Sequence, residues 1–242
     1  MGQESAGTRG PWSGDRVRSI VYAGLDSIVT SFSLISSISG GRLSSGDVVV
    51  LGLANLVADG IAMGFGDFVS SSTERDMVRK ARAVLQQGLR RHIRPQLTDL
   101  LHAYQALGMA TADATTVVSV LAKYEGILVD EKMSLERGML PPRQMEAPWK
   151  SGLVTFLSFV GFGSAPLLAF GLLLPFAVPP AARFLAACLL AGAALSLLGA
   201  AKARLSGQSL PLSVAATLFN GALASASAYT IGSLLSNLLR LE

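Results

Sequence analysis

Residues 151–182 read SGLVTFLSFVGFGSAPLLAFGLLLPFAVPPAA, and no Asp, Glu, Lys or Arg interrupts them. An α-helix rises 1.5 Å per residue, so roughly 20 apolar residues cross a hydrocarbon layer of about 30 Å. This run is long enough to span with residues to spare, which predicts a tilted helix or an irregular segment around Gly161, Gly163 and Pro166. Residues 184–201 and 205–239 are likewise uncharged. Repeated runs of this kind define a polytopic membrane protein. Charged residues make up 15% of the chain, against about 25% in soluble domains.

Working outward from 151–182, the sequence predicts an all-α membrane protein of five transmembrane helices. They cover about 19–41, 48–69, 151–175, 183–201 and 210–239, with a polar helical insert between the second and third. The domain layout is a flexible N-terminal arm (1–15), membrane helices 1 and 2 (16–70), the insert (71–148) and membrane helices 3 to 5 (149–242). In the insert, Leu97, Leu100, Leu101, Tyr104 and Leu107 recur at helical spacing, and Gly108 is a natural stop. A second helix follows with Thr111 or Asp113 as cap, and a third ends at Gly138 before Pro141-Pro142. The basic segment 74–94 extends the second span beyond the membrane surface.

The sequence pI is about 9.5. Its basic residues flank the spans, which points to membrane orientation and away from nucleic-acid binding. Arg9, Arg16 and Arg18, then Arg75, Arg79, Lys80, Arg82, Arg90, Arg91 and Arg94, then Lys202 and Arg204 mark one side; only Arg42, Arg183 and Arg240 mark the other. The positive side is the cytoplasmic one, so the N-terminus and insert are expected there and the C-terminus across the membrane. Cys188 is the single cysteine and forms no intrachain disulfide. The first residues lack the apolar core of a cleavable signal peptide, and Ala6 breaks a myristoylation motif. No nucleophile–base pair or phosphate loop is present, so the chain does not read as an enzyme.

Two acids stand out against the apolar background. Asp26 lies about seven residues into the first span and Asp59 about eleven into the second. A carboxylate at membrane depth is costly unless it faces a polar path, pairs with a cation or holds a proton. The spans contain no Lys or Arg to pair with either, so an external cation or a proton is the natural partner. Met63 lies one turn beyond Asp59 and Asn55 one turn before it, with Asp67 extending the stripe. A thioether beside carboxylate oxygens suits a divalent transition metal better than calcium or magnesium. Gly60 and Gly64 permit close helix approach, and Ser27, Thr30, Ser31, Ser33, Ser36 and Ser37 either line a path or satisfy carbonyls of their own helix.

GLDSIVTSFSLISSISGG (24–41), LGLANLVADGIAMGFGDFVSSSTE (51–74) and SGLVTFLSFVGFGSAPLL (151–168) occur in this order around a polar helical insert. The chain thereby resembles the vacuolar iron transporter family from about Arg16 to Leu239. The resemblance implies a five-span homodimer that exports Fe²⁺, and often Mn²⁺, from the cytosol in exchange for protons. The membrane is that of a vacuole or other acidic organelle, or the inner membrane of a bacterium. Metal ions and protons are then the partners and Fe²⁺ and Mn²⁺ the substrates, with no cofactor. A metal path at the dimer interface is implied, lined by Asp26 and Met63, and Asp59 and Asn55 assist. Asn55 stands where some members carry Glu.

The family's full insert also collects metal on Glu and Met side chains. By ungapped register its acidic positions fall here on Leu85, Gly88, Gln96 and Asp99, and its last-helix set on Lys132, Met133 and Glu136. Asp99, Met133 and Glu136 are thus the retained ligands, with Gln96 a weak one. Arg90, Arg91 and Arg94 oppose a nearby cation, and His92 and His102 read as surface residues. Alternatives are transport of Mn²⁺ or Zn²⁺ on the same fold, a channel, or a scaffold without transport.

Overall fold

A computed structural model describes residues 14–41, 44–141, 145, 147–173, 175–176 and 178–239. The N-terminal arm up to residue 13, and Arg9, Arg42, Pro142 and Arg240, lie outside the described residues. The described chain is all-helical, with no strand among those residues. Its order is α1 (Gly14–Gly40), α2 (Ser45–Arg91), α3 (Ile93–Ala106), α4 (Thr111–Leu121), α5 (Glu125–Arg137), α6 (Pro148–Leu173), α7 (Pro180–Ser206) and α8 (Leu210–Leu239). α1, α2, α6, α7 and α8 are each long and apolar enough to cross a membrane. The chain forms two compact units, one of residues 1–68 with 149–242 and one of residues 69–148.

In the first unit, α1 packs against α7 and α8, which also pack on each other. Buried Ile35, Ile38, Val48, Leu56, Phe159, Leu167 and Phe170 form one apolar cluster, and Ile28, Ala191, Leu195 and Leu198 another. Leu197, Phe219 and Leu212 point outward, 74%, 69% and 69% exposed. Exposed side chains of that size are ordinary where the solvent is lipid, since apolar surface gains nothing from hiding there. α6, uncharged after Lys150, runs unbroken through Pro166 to Leu173, and a turn at Pro175–Phe176 separates it from α7. The length of 151–182 is therefore absorbed by a turn before Pro180, and the residues around Gly161 and Gly163 stay helical.

Small residues set the spacing of α2 and α6. Gly52, Leu56, Gly60 and Gly64 recur every fourth position and are buried. A Cβ on Gly64 would stand 2.8 Å from the Gly152 carbonyl oxygen, and one on Gly152 would stand 2.5 Å from that of Gly64. Gly60 faces Val160 and Phe156 in the same way. The Gly60/Gly64 pair is thus spent on α6 within the chain. Ser44 caps α2: its Oγ accepts from the Asp47 backbone N–H at 3.2 Å, and its own N–H donates to Asp47 Oδ2 at 2.9 Å.

The second unit has its own apolar core of Val78, Leu85, Leu89, Leu100, Tyr104, Val118, Leu128, Val129 and Met133. α2 carries on without a break to Arg91, and α3, α4 and α5 pack on one another. α5 stops at Gly138, whose φ of 61° is the left-handed conformation that a Cβ penalises. The start of α4 departs from the sequence expectation. Ala110 occupies the N-cap and no side chain caps the helix; Thr111 Oγ1 instead accepts from Gln105 Nε2 at 3.1 Å.

Candidate functional site

On α1 the buried stripe is Gly24, Ser27, Ile28, Ser31 and Ile35, and Asp26 lies off that stripe, exposed. Gly24 fixes the approach, since a Cβ there would meet Phe162 at 2.8 Å and Leu198 at 2.9 Å. The hydroxyls of α1 are largely used on their own helix. Ser27 donates to Gly24 O at 2.9 Å, Thr30 to Asp26 O at 3.0 Å, and Ser36 to Phe32 O at 2.9 Å.

On α2, Asn55, Asp59 and Met63 form a stripe beside the glycine seam, with Met63 39% exposed. Asn55 Nδ2 donates to Asp59 Oδ2 at 2.7 Å, so the amide orients the carboxylate by its nitrogen. Asp26 on α1 and Asp59 on α2 are thus acids of two helices long and apolar enough to cross a membrane. Asp67 is drawn out of this stripe: its Oδ2 accepts from Ser151 at 2.7 Å and from Thr155 at 2.6 Å, both on α6.

Lys202, which the sequence marks only as a cytoplasmic flank, shares a cavity with Asp26. A cavity of about 320 Å³ is lined by Tyr22, Asp26, Thr217, Asn220 and Lys202. The uncharged run ends at Ala201, yet α7 continues to Ser206. Lys202 thereby remains on a helix packed against α1, and it shares the space in front of Asp26. The signal was available in principle, since Ala201 to Ser206 contains no helix breaker.

In the insert, Asp99 and Glu136 both meet Lys132: Nζ lies 3.6 Å from Asp99 Oδ2 and 2.8 Å from Glu136 Oε1. The same ammonium donates to the Gln96 backbone oxygen at 3.1 Å. Met133 is fully buried in the apolar core, and Leu85 belongs to that core too. Asp130 accepts from Arg82 Nε at 2.7 Å, and Glu125 from Gln86 at 2.9 Å and Arg90 at 2.8 Å. The hydrogen bond from Gln86, then that from Arg90, holds the Glu125 carboxyl below its ordinary range. Tyr104 donates to Glu131 at 2.9 Å, and burial above all, with that carboxylate, pushes its phenol up to about 12. His92 and His102 are exposed. Among the described residues no three His, Cys, Asp or Glu side chains converge as a metal-binding group.

A family model described as the VIT family matches residues 17–233. The chain belongs to the VIT family. A VIT relative from Toxoplasma gondii, a vacuolar iron transporter, is 34% identical over 92% of this chain and 75% of its own length. Vacuolar iron transporter 1 of Arabidopsis thaliana is 26% identical over 90% of this chain and 86% of its own. The vacuolar iron transporter of Plasmodium falciparum is 26% identical over 64% of this chain and 58% of its own. The matched VIT span takes in α1 with Asp26, α2 with Asn55, Asp59 and Met63, and the whole insert.

Proposed function

We propose that this chain is a proton-coupled transporter that moves Fe²⁺, with Mn²⁺ as a second substrate, out of the cytosol. The destination is a vacuole or similar acidic organelle, or the cell exterior if the host is a bacterium. The observation that carries the reading is that Asp26 and Asp59 stand on two helices long and apolar enough to cross a membrane, Asp26 exposed and Asp59 on one stripe of α2 with Met63. One divalent cation satisfies two carboxylates, and so do protons, which makes alternation between the two a direct route to exchange. Met63, one turn from Asp59, adds a thioether that favours a transition metal over magnesium. Asn55 holds the Asp59 carboxylate in place through its amide N–H. No covalent step is required, so the activity is transport and not catalysis.

The working unit is a homodimer, with Asp26 and Met63 of each copy lining a shared path. Both residues are exposed on the chain, which leaves them free to face a second copy. The basic residues Arg79, Lys80, Arg90, Arg91 and Arg94 support a cytosolic side for the insert and N-terminus.

The test is Fe²⁺ uptake into proteoliposomes with and without an imposed pH gradient, for wild type and Asp26→Ala. Gradient-driven uptake in wild type, lost in the variant, is the expected result. Uptake that persists unchanged in Asp26→Ala removes this mechanism. Competition by Mn²⁺ and Zn²⁺ in the same vesicles separates the cation alternatives.

A further inference from the structure

Buried ammonium groups are rare because desolvation penalises the charge heavily unless oxygens surround it. Lys132, on α5, is 1% exposed. Its Nζ is met by Glu136 at 2.8 Å from the same helix, and by the Gln96 carbonyl at 3.1 Å and Asp99 at 3.6 Å from α3. Two carboxylates and a carbonyl around one point are the donor set of a hard or borderline divalent ion. Here the centre of that set is held by a side chain.

We propose that the Lys132 ammonium is a tethered cation filling the cation-binding cluster of the insert, and that it makes the insert a lobe that folds and works without metal. The rest of the lobe agrees. Asp130 is engaged by Arg82, Glu125 by Arg90 and Gln86, and Glu131 by Tyr104. Each of these carboxylates receives its hydrogen bonds from a donor of this chain. Met133 follows Lys132 directly, but it lies fully buried in the core, so its thioether is used for packing. The cross-links between helices that a shared metal ion would provide are supplied instead by intrachain charge pairs. A second cation has no place beside the ammonium, because the cluster then holds three positive charges against two carboxylates. It follows that the insert keeps its structure at every cytosolic metal level, and that any response of transport to metal supply originates elsewhere. This inference concerns the insert alone and stands whether or not the membrane carboxylates carry Fe²⁺.

The experiment uses the full chain in detergent, with bound Mn²⁺ counted by electron paramagnetic resonance and helix melting followed in EDTA and in Mn²⁺. Wild type, Lys132→Met, and Lys132→Met with Asp99→Asn and Glu136→Gln are compared. Lys132→Met is expected to gain one Mn²⁺ per chain and a Mn²⁺-dependent rise in melting temperature. Both gains vanish in the triple variant. A folded Lys132→Met that binds no more Mn²⁺ than wild type overturns the proposal. Wild-type Mn²⁺ binding that is lost on Asp99→Asn with Glu136→Gln overturns it as well. Should Lys132→Met fail to accumulate, the neutral pair Lys132→Met/Glu136→Gln decides. Recovered accumulation and melting support a compensated charge, and no recovery means that Lys132 acts only as packing, which sinks the idea.

Discussion

At the scale of single residues, the two units put their polar groups to different use. In the insert, donors of the chain engage carboxylates one by one, and Tyr104 gives this a direct readout. Its phenol stays neutral up to about pH 12, whereas an unfolded tyrosine ionises near 10. A folded pKa above the unfolded one contributes stability that is fully present below pH 10 and is lost as pH rises from there through 12. Ultraviolet titration of the folded protein should show a late tyrosine step, and Tyr104→Phe should reduce its amplitude by one residue. A late step of unchanged amplitude in the variant would reject the assignment. Glu125 works in the opposite sense. Its folded pKa is depressed by Gln86 and Arg90, so its contribution exists above the ordinary Glu value near 4.3 and fades as pH falls through the lower folded value. Glu125→Gln should therefore flatten the acid limb of the melting temperature against pH, by a small amount because the group is exposed. In the membrane unit Asp59 is held by Asn55 and Asp67 by Ser151 and Thr155, while Asp26 shares its cavity with Lys202. The proposed cargo site is accordingly drawn from Asp26 and Asp59, whereas the insert acids are engaged by donors of their own lobe.

At the scale of elements, the α2–α6 seam determines how much of the first unit holds together. Gly64 and Gly152 sit back to back, and backbone oxygen is what an added methyl would strike. Gly152→Ala should cost about 1–3 kcal/mol, the usual range for overpacking a tight contact, seen as a lower melting temperature in detergent. Gly66, two positions along α2, has nothing within 4 Å of a built Cβ. Gly66→Ala should leave the melting temperature unchanged or raise it, since alanine is the better helix former by about 0.8–1 kcal/mol. Equal effects at the two glycines would mean that α2 does not pack on α6 through this seam. Element ends carry a further lesson. Gly138 and Gly108 terminate helices with positive φ of 61° and 94°, as glycine placed after an apolar repeat leads one to expect. The start of α4 does not use Thr111 or Asp113 as its cap, because Thr111 is the first helical residue and its hydroxyl is taken by Gln105.

At the scale of the whole molecule, transport should depend on Asp26 and on the pH gradient together, and collapsing the gradient with an ionophore should stop net uptake in wild type. The proposed homodimer predicts a protein mass near twice 25.2 kDa by light scattering in detergent; a monomer that still transports would remove the shared path. The sequence alone determined the five apolar helices, because a largely apolar run of that length has only one inexpensive place to be. It also determined the insert helices, whose apolar periodicity and terminal glycines are local signals, and it singled out Asp26, Asp59 and Met63, because membrane acids are costly. Only the tertiary structure decided what those residues meet. It turned Asp67 onto Ser151 and Thr155, eighty-four and eighty-eight positions away along the chain, and it brought Lys202 into the cavity of Asp26. It also gathered Gln96, Asp99 and Glu136 around Lys132. The physical reason is the same in each case: helical periodicity reports which face of a helix is apolar, but a charge's partner is chosen by the packing of distant helices, and nothing in local composition encodes that choice.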